Sequence, residues 1–164
     1  MKVYFAYNII SVEVEPMYSI FEIAEWFLNK ENMTHKKLQK LCYYAYAWYY
    51  ALKSKTLCHD TRFEAWVHGP VSHPLYRYFA GNGWDELLPS DNTPFIDSQT
   101  TEVLESVWET YGSLTGNALE ALTHQEPPWQ KARLGLLANA PSREPIKESD
   151  MMDYYLSIYE GSEE

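Results

Sequence analysis

The pattern of apolar and polar positions along the chain predicts a protein built mainly of helices. Its clearest segment, residues 34–52, has apolar side chains at helical spacing on one side and several tyrosines on the other. A helix that is apolar nearly all round is either buried or covered by a partner. We therefore expect this helix to form the centre of the fold, part of a binding face, or both. Thr34 is its predicted N-cap residue.

Weaker helical patterns flank this central helix. Ser19 and Glu22 have the spacing of a capping box, for a helix that reaches about Leu28. A brief turn is expected at residues 129–137. The last helix should turn Met151, Met152, Tyr155, Leu156 and Tyr159 inward. Further helices are predicted at residues 75–80, 100–111, 115–122 and 150–159.

Within residues 17–164, only the segment before residue 68 has the pattern of a strand. Residues 62–67 alternate between polar and apolar side chains, which is typical of one short strand. Gly69-Pro70 then breaks the pattern, because the residue before a proline avoids helical geometry. The predicted fold is therefore mainly α: a single compact helical domain around a central aromatic-rich helix, with at most one or two short strands.

The domain is predicted to cover residues 17–164. Residues 1–16 stand apart in pattern, since Val12–Glu15 alternates like an exposed strand and Pro16 closes the stretch. We interpret them as an N-terminal extension, and the sequence leaves open whether translation starts at Met1 or Met17. The 46% apolar and 16% aromatic content indicates a packed globular protein.

The net charge of −10 disfavours non-specific binding to nucleic acid or anionic membranes. No apolar run approaches the roughly 18–20 residues of a membrane span, and no secretory signal pattern is present, so we expect a cytoplasmic protein. Lys36, Lys37 and Lys40 are an exception to the acidic balance. They lie in the first turns of the central helix, where the helix dipole disfavours cations. This predicts an anionic partner, either internal, for example from the C-terminal helix, or external.

No pattern of catalytic or metal-binding residues is recognisable. Cys42, Cys58, His59, His68 and His73 fall close together in sequence, but without the spacing of a zinc site. There is no nucleophile elbow, phosphate-binding loop or dinucleotide fingerprint. Two cysteines do not make a disulfide framework. We therefore predict no enzyme activity, no metal and no cofactor.

Two short proline-containing blocks supply the candidate binding residues. Residues 68–71 form either a packing turn or a rigid loop that presents neighbouring side chains to a partner. Residues 124–129 end a helix and bring a His, a Glu and a Trp together. Tryptophan is enriched at interface hot spots, although the core is its commonest location. The candidate partner-binding residues are Trp66, His68, Gly69, Pro70, Tyr76, His124, Glu126 and Trp129, joined by Tyr43, Tyr46 and Tyr50 if that helix face is open.

Several separated blocks of the sequence resemble the Panacea domain family, which includes SocA-type antitoxins and GepA-like phage-associated proteins. The blocks are residues 33–45, 64–71, 75–76 and 122–133, and they follow the order of the family. The resemblance covers roughly residues 18–159 and leaves residues 1–16 outside.

The resemblance implies a mainly helical antitoxin domain that neutralises a cognate toxin by direct protein binding. In the SocA case it also implies an adaptor that delivers the toxin to a ClpXP-type protease. The family supplies no established active site to transfer to this chain. A protease adaptor and a nucleic-acid-binding regulator that uses Lys36, Lys37 and Lys40 are the alternatives, and the net charge disfavours the second.

Overall fold

The computed structural model describes residues 17–162, which form seven α-helices and one two-stranded antiparallel sheet. The prediction of a mainly α fold with at most two short strands is confirmed. A short 3-10 turn at Ala80–Asn82 follows the third helix. The elements are α1 (Ile20–Leu28), α2 (His35–Lys53), β1 (Phe63–Trp66), β2 (Gly69–Ser72), α3 (His73–Phe79), α4 (Ser98–Tyr111), α5 (Gly116–His124), α6 (Pro127–Ala132) and α7 (Glu148–Ser162).

The aromatic helix α2 lies at the centre of the domain, as its pattern predicts. Most of its 19 residues are buried, and it packs against α1, α4, α5, α7 and the sheet. Tyr43 and Tyr46 are 1% and 2% exposed, because Phe63 of β1 packs against both rings. The open helix face that would let these two tyrosines contact a partner is therefore absent.

The predicted starts of three helices are confirmed by their caps. Ser19 and Glu22 form the reciprocal capping box of α1. Thr34 caps α2 by accepting a hydrogen bond from the Lys37 N–H at 3.3 Å. Thr115 caps α5 in the same way. Such side-chain caps satisfy N–H groups that have no partner within the helix, so they locate a helix start from local sequence alone.

Two elements differ from the sequence-based expectation. Residues 127–132 form the helix α6 where a brief turn at 129–137 was expected, because Pro127 and Pro128 fit the first turn of a helix. On α7, Met151 and Tyr155 are fully buried as predicted. Tyr159 is 43% exposed and so is not buried, although its ring lies 6.4 Å from the Trp48 ring of α2.

The two strands form a hairpin where the sequence predicted one strand and a turn. Phe63 pairs with Ser72 and Trp66 with Gly69, which leaves residues 67–68 as the connecting turn. Gly69 has a φ of +102°, a conformation that favours glycine. Across the other edge of β1, the Ile146 N–H donates to the Phe63 carbonyl oxygen at 2.8 Å. Strand β1 therefore has backbone hydrogen-bond partners along both of its edges.

The predicted extension and the choice between Met1 and Met17 as start concern residues that lie outside the described part of the chain. Within residues 17–162, no helix is both long enough and apolar enough to cross a membrane.

Candidate binding groove

A groove opens beside the first turns of α2, where this helix meets the hairpin, α3 and the loop at residues 141–143. Its volume is about 620 Å³, within the range of about 300–1,000 Å³ that is typical of ligand pockets. Among the described residues, no Asp or Glu side chain lines it. We call it the α2 groove and define it by its aromatic, basic and imidazole side chains, which are Trp66, Tyr76, Trp84, His35, Lys36, Lys40, His68 and Arg143.

The aromatic side chains form a wall in which Trp66 and Tyr76 are held in place by ring contacts. Trp66 and Tyr76 meet edge to face with their centroids 4.8 Å apart. Tyr76 also stacks on His35 at 5.7 Å. The Trp66 Nε1–H donates to Glu64 Oε1 at 2.9 Å, which fixes the indole ring. Tyr76 is 40% exposed and Trp84 is 76% exposed, so a large aromatic area faces solvent.

The basic side chains of the first turns of α2 have internal partners. Lys36 Nζ donates to Asn117 Oδ1 at 3.0 Å and lies 3.6 Å from the Glu120 carboxylate. Lys37 Nζ donates to the carbonyl oxygen of Gly112, just after α4, at 2.6 Å. Lys37 Nζ also lies 3.8 Å from the Glu31 carboxylate. Internal anionic partners of these lysines thus exist, and they come from α5 and from the loop between α1 and α2. The suggestion that the C-terminal helix supplies them was wrong.

Lys40 is the most deeply buried basic side chain of the groove, with 2% of its surface exposed. Its Nζ donates to the Pro70 carbonyl oxygen at 3.1 Å. Burial lowers its pKa to about 7. A Cβ atom at Gly69 would lie only 2.6 Å from Lys40 Cε. Glycine is therefore required at this position both for its backbone conformation and for the close approach of Lys40.

Two neighbouring polar side chains connect α2 to the hairpin and α3. Gln39 accepts from the Ser72 N–H at 2.9 Å and donates to the Ser72 carbonyl oxygen at 3.2 Å. His35 is 8% exposed, and burial together with the Lys40 charge lowers its pKa to about 4. His35 is therefore neutral at pH 7 and acts as a stacking surface for Tyr76. Arg143 carries an exposed charge, with 62% of its side chain accessible, whereas the Lys36 side chain is only 16% exposed.

A second group of residues supports β1 from within the protein. The Trp129 Nε1–H donates to the Trp66 carbonyl oxygen at 2.9 Å, and Arg133 donates to the Ala65 carbonyl oxygen at 2.9 Å. His124 stacks on Trp129 with a centroid distance of 4.0 Å and an interplanar angle of 15°. We call His124, Trp129 and Arg133 the strand anchor, because they hold the backbone of β1 beneath the groove.

Glu126, next to the strand anchor, joins two helices in the core. It is 4% exposed and accepts hydrogen bonds from the Tyr44 hydroxyl at 2.7 Å and the Tyr155 hydroxyl at 3.0 Å. Burial raises the pKa of this carboxyl group. These two hydroxyls come from α2 and α7, so Glu126 connects the central helix to the last helix.

The structure divides the predicted partner-binding residues into two sets. Trp66, His68 and Tyr76 lie together at the α2 groove, where His68 is exposed and Nδ1 lies 2.7 Å from Glu120 Oε1. The other five are wholly or partly buried around the hairpin and the strand anchor, and their contact with a partner stays a prediction. These five are Gly69, Pro70, His124, Glu126 and Trp129.

Five of the eight groove residues are absent from the predicted partner-binding set, namely His35, Lys36, Lys40, Trp84 and Arg143. Trp84 stands in a polar loop beside Gly83, and an isolated tryptophan in such a loop is a signal that could have identified it. Lys36 and Lys40 were noted only for their charge, although the burial of Lys40 agrees with a helix that is apolar nearly all round. No local sequence pattern around Arg143 indicates a binding residue, because the tertiary path of the loop at residues 141–143 places it at the groove. Its Nε donates to Glu64 Oε1 at 3.1 Å.

The fold and the groove together define a mainly helical domain with an aromatic and basic groove beside its central helix. Comparison with known protein families gives the identification. The chain belongs to the antitoxin SocA-like, Panacea domain family, whose sequence model matches residues 38–130. The match includes most of α2, the hairpin and α3. It ends at Gln130, so it covers His124 and Trp129 of the strand anchor but not Arg133.

A curated relative is the antitoxin SocA of Caulobacter vibrioides (strain NA1000 / CB15N). It is 31% identical to this protein over 117 residues, which cover 63% of this chain and 59% of the relative. The chain thus spans less than two thirds of the length of that relative. Among solved structures, none matches this chain.

Proposed function

We propose that this protein is the antitoxin of a bacterial or phage toxin–antitoxin pair and neutralises its toxin by direct protein–protein binding. The observation that carries the proposal is an exposed aromatic and basic groove in a domain that belongs to an antitoxin family. A relative with 31% identity bears the name of an antitoxin. Direct binding as the means of neutralisation is our inference for this chain.

The α2 groove has the composition of a protein-binding hot spot. Tryptophan, tyrosine and arginine are the residues most enriched where alanine substitution weakens protein complexes. Trp84, Tyr76 and Arg143 supply one of each type at the groove. The ring contacts of Tyr76 and the hydrogen bond of Arg143 hold two of them in place before a partner arrives. Such preorganisation reduces the entropy lost on binding.

The acidic surface outside the groove adds a second, weaker effect. A net charge of −10 produces a field that attracts a basic protein and accelerates its encounter with the antitoxin. This effect acts mainly on the association rate and decreases with salt, whereas the groove contacts determine the dissociation rate.

The test expresses the adjacent open reading frame alone and together with this protein, and then purifies the complex. We expect growth inhibition by the neighbour, rescue by this protein and recovery of both chains together. In vitro, toxin activity should fall in proportion to added protein and reach zero at a fixed ratio, because binding is stoichiometric. Rescue without a complex, or loss of toxin activity at much lower than stoichiometric amounts, would contradict direct neutralisation.

A further inference from the structure

We propose that the α2 groove binds a short acidic segment of the toxin in which a carboxylate lies beside an apolar or aromatic side chain. This inference rests on the proposed function and adds to it the chemistry of the toxin segment that is recognised. Among the described residues, the lining of the groove includes basic side chains and no carboxylate, and exposed aromatic rings lie beside the basic groups.

Charge complementarity is the first argument. The chain has 23 acidic and 13 basic residues, yet within the described residues no carboxylate lines the groove. Lys36 and Arg143 line it, and the carboxylates that pair with them, Glu120 and Glu64, are not among the lining residues. The Arg143 side chain is 62% exposed, and Glu64 accepts from its Nε and Nη2, so the exposed remainder of the guanidinium group is open to an incoming carboxylate.

Lys40 is the second argument. Its Nζ hydrogen bonds to the neutral Pro70 carbonyl oxygen, and no carboxylate of the described residues lies within ion-pair distance of it. Glu120 acts on this ammonium group only from beyond ion-pair distance, so its burial is incompletely compensated, and a carboxylate brought to the groove would add to that compensation. The glycine at position 69 makes room for this lysine, so its placement under the hairpin is built into the fold.

The aromatic wall is the third argument, and it defines the rest of the segment. Trp66, Tyr76 and Trp84 present ring faces and edges next to the basic groups. The Lys36 ammonium lies 5.3 Å from the centre of the Trp84 ring, which keeps the charge and the apolar surface adjacent. A toxin segment that matches both features has an acidic residue next to an apolar or aromatic residue.

The same observations favour a protein segment over a nucleic acid. Binding to nucleic acid depends on several cations along a phosphate chain, and it is opposed by negative charge nearby. Here Glu64 and Glu120 lie within 4 Å of the basic side chains, and the whole chain is acidic. A single carboxylate needs only one or two cations, and the groove supplies those.

The test measures binding of the co-purified toxin to the full chain by titration calorimetry. Trp84→Ala and Arg143→Glu change the groove. Phe95→Ala and Lys131→Glu are the matched controls, because both side chains are exposed and neither lines the groove. We expect each groove variant to weaken binding by at least about tenfold and each control by less than about twofold. Circular dichroism and thermal unfolding check the fold. If Arg143→Glu unfolds, Arg143→Gln replaces it.

Overlapping peptides that tile the toxin identify the segment. Peptides that compete with the toxin should contain Asp or Glu beside an apolar or aromatic residue. Replacing that acidic residue of the toxin by alanine should weaken binding to the wild-type chain but cause little further loss of affinity for the Arg143→Glu variant. The two effects are not additive when the two residues contact each other.

Three outcomes would overturn the inference. If the wild-type chain neutralises the toxin and the groove variants bind it normally, the groove is not the site, although the antitoxin function stands. If a single-stranded RNA oligonucleotide competes with the toxin and loses affinity in the same variants, the groove binds nucleic acid instead. If the wild-type chain neither binds nor rescues, the proposed function and this inference both fail.

Discussion

The α2 groove and the strand anchor use the same kinds of side chain for different purposes. Both contain tryptophan, histidine and a basic residue, and both meet at Trp66. In the strand anchor, the indole N–H of Trp129 bonds to the backbone of β1, and its ring faces are covered by His124 and Arg133. In the groove, the Trp84 ring is 76% exposed.

This difference indicates that some residues of the domain contribute mainly to stability and others mainly to binding. In the strand anchor, Trp129 and Arg133 donate hydrogen bonds to backbone carbonyl oxygens of β1, so changes at these two residues should destabilise the fold. The groove leaves aromatic area and positive charge exposed, so changes there should alter binding and leave the fold intact. Three substitutions test this separation.

Trp129→Ala is expected to have the largest effect. Removing a buried tryptophan and its hydrogen bond to β1 should lower the free energy of unfolding by about 3–5 kcal/mol. Trp84→Ala is the matched control, and it should change that free energy by less than about 0.5 kcal/mol because the side chain is exposed. Urea denaturation followed by circular dichroism measures both. Equal losses of unfolding free energy for the two variants would show that the exposed groove tryptophan contributes as much to stability as the buried anchor tryptophan.

Lys40→Met tests a residue that belongs to the groove but is buried like the anchor. Burial lowers the Lys40 pKa to about 7, from an ordinary value of 10.5. The unfolded chain therefore takes up a proton at higher pH than the folded protein, and the wild type should lose stability as pH falls. Relative to Lys40→Met, the loss should be about 2 kcal/mol between pH 9 and pH 7.

The measurement is the difference in unfolding free energy between wild type and Lys40→Met at several pH values. Other titrating groups are common to both proteins, so their contributions largely cancel in this difference. Parallel stability curves would mean that Lys40 keeps an ordinary pKa in the folded protein. The variant should also lose affinity for the toxin, which would link the buried charge to the groove.

Thr34→Ala should have the smallest effect of the three. It removes the cap of α2 and should lower the free energy of unfolding by about 1 kcal/mol. Because His35 and Lys36 belong to the first turn of this helix, toxin affinity should fall as well. Ser19→Ala is the control, since it removes the cap of α1, which does not line the groove. Similar toxin affinities for the two variants would show that the α2 cap does not position the groove.

Local sequence was sufficient to predict the helices with side-chain caps and the central position of α2. A cap involves residues three apart, and the burial of α2 follows from apolar residues nearly all round its surface. The β2 strand was missed because Gly69 and Pro70 disfavour strands in isolation. Gly69 and Pro70 form a strand here because two tertiary interactions outweigh that local preference. These are the pairing of β2 with β1 and the close packing of Gly69 against the Lys40 side chain.

The sequence by itself therefore determined the helical class of the domain, its main helix starts and its central helix. The tertiary structure decided which aromatic blocks are exposed. Trp66 and Trp129 lie in equally convincing motifs, and only the packing of β1 over α6 places one at the groove and the other beneath it. The groove joins residues from separate segments between His35 and Arg143. Such contacts depend on the whole fold, and no local periodicity records them.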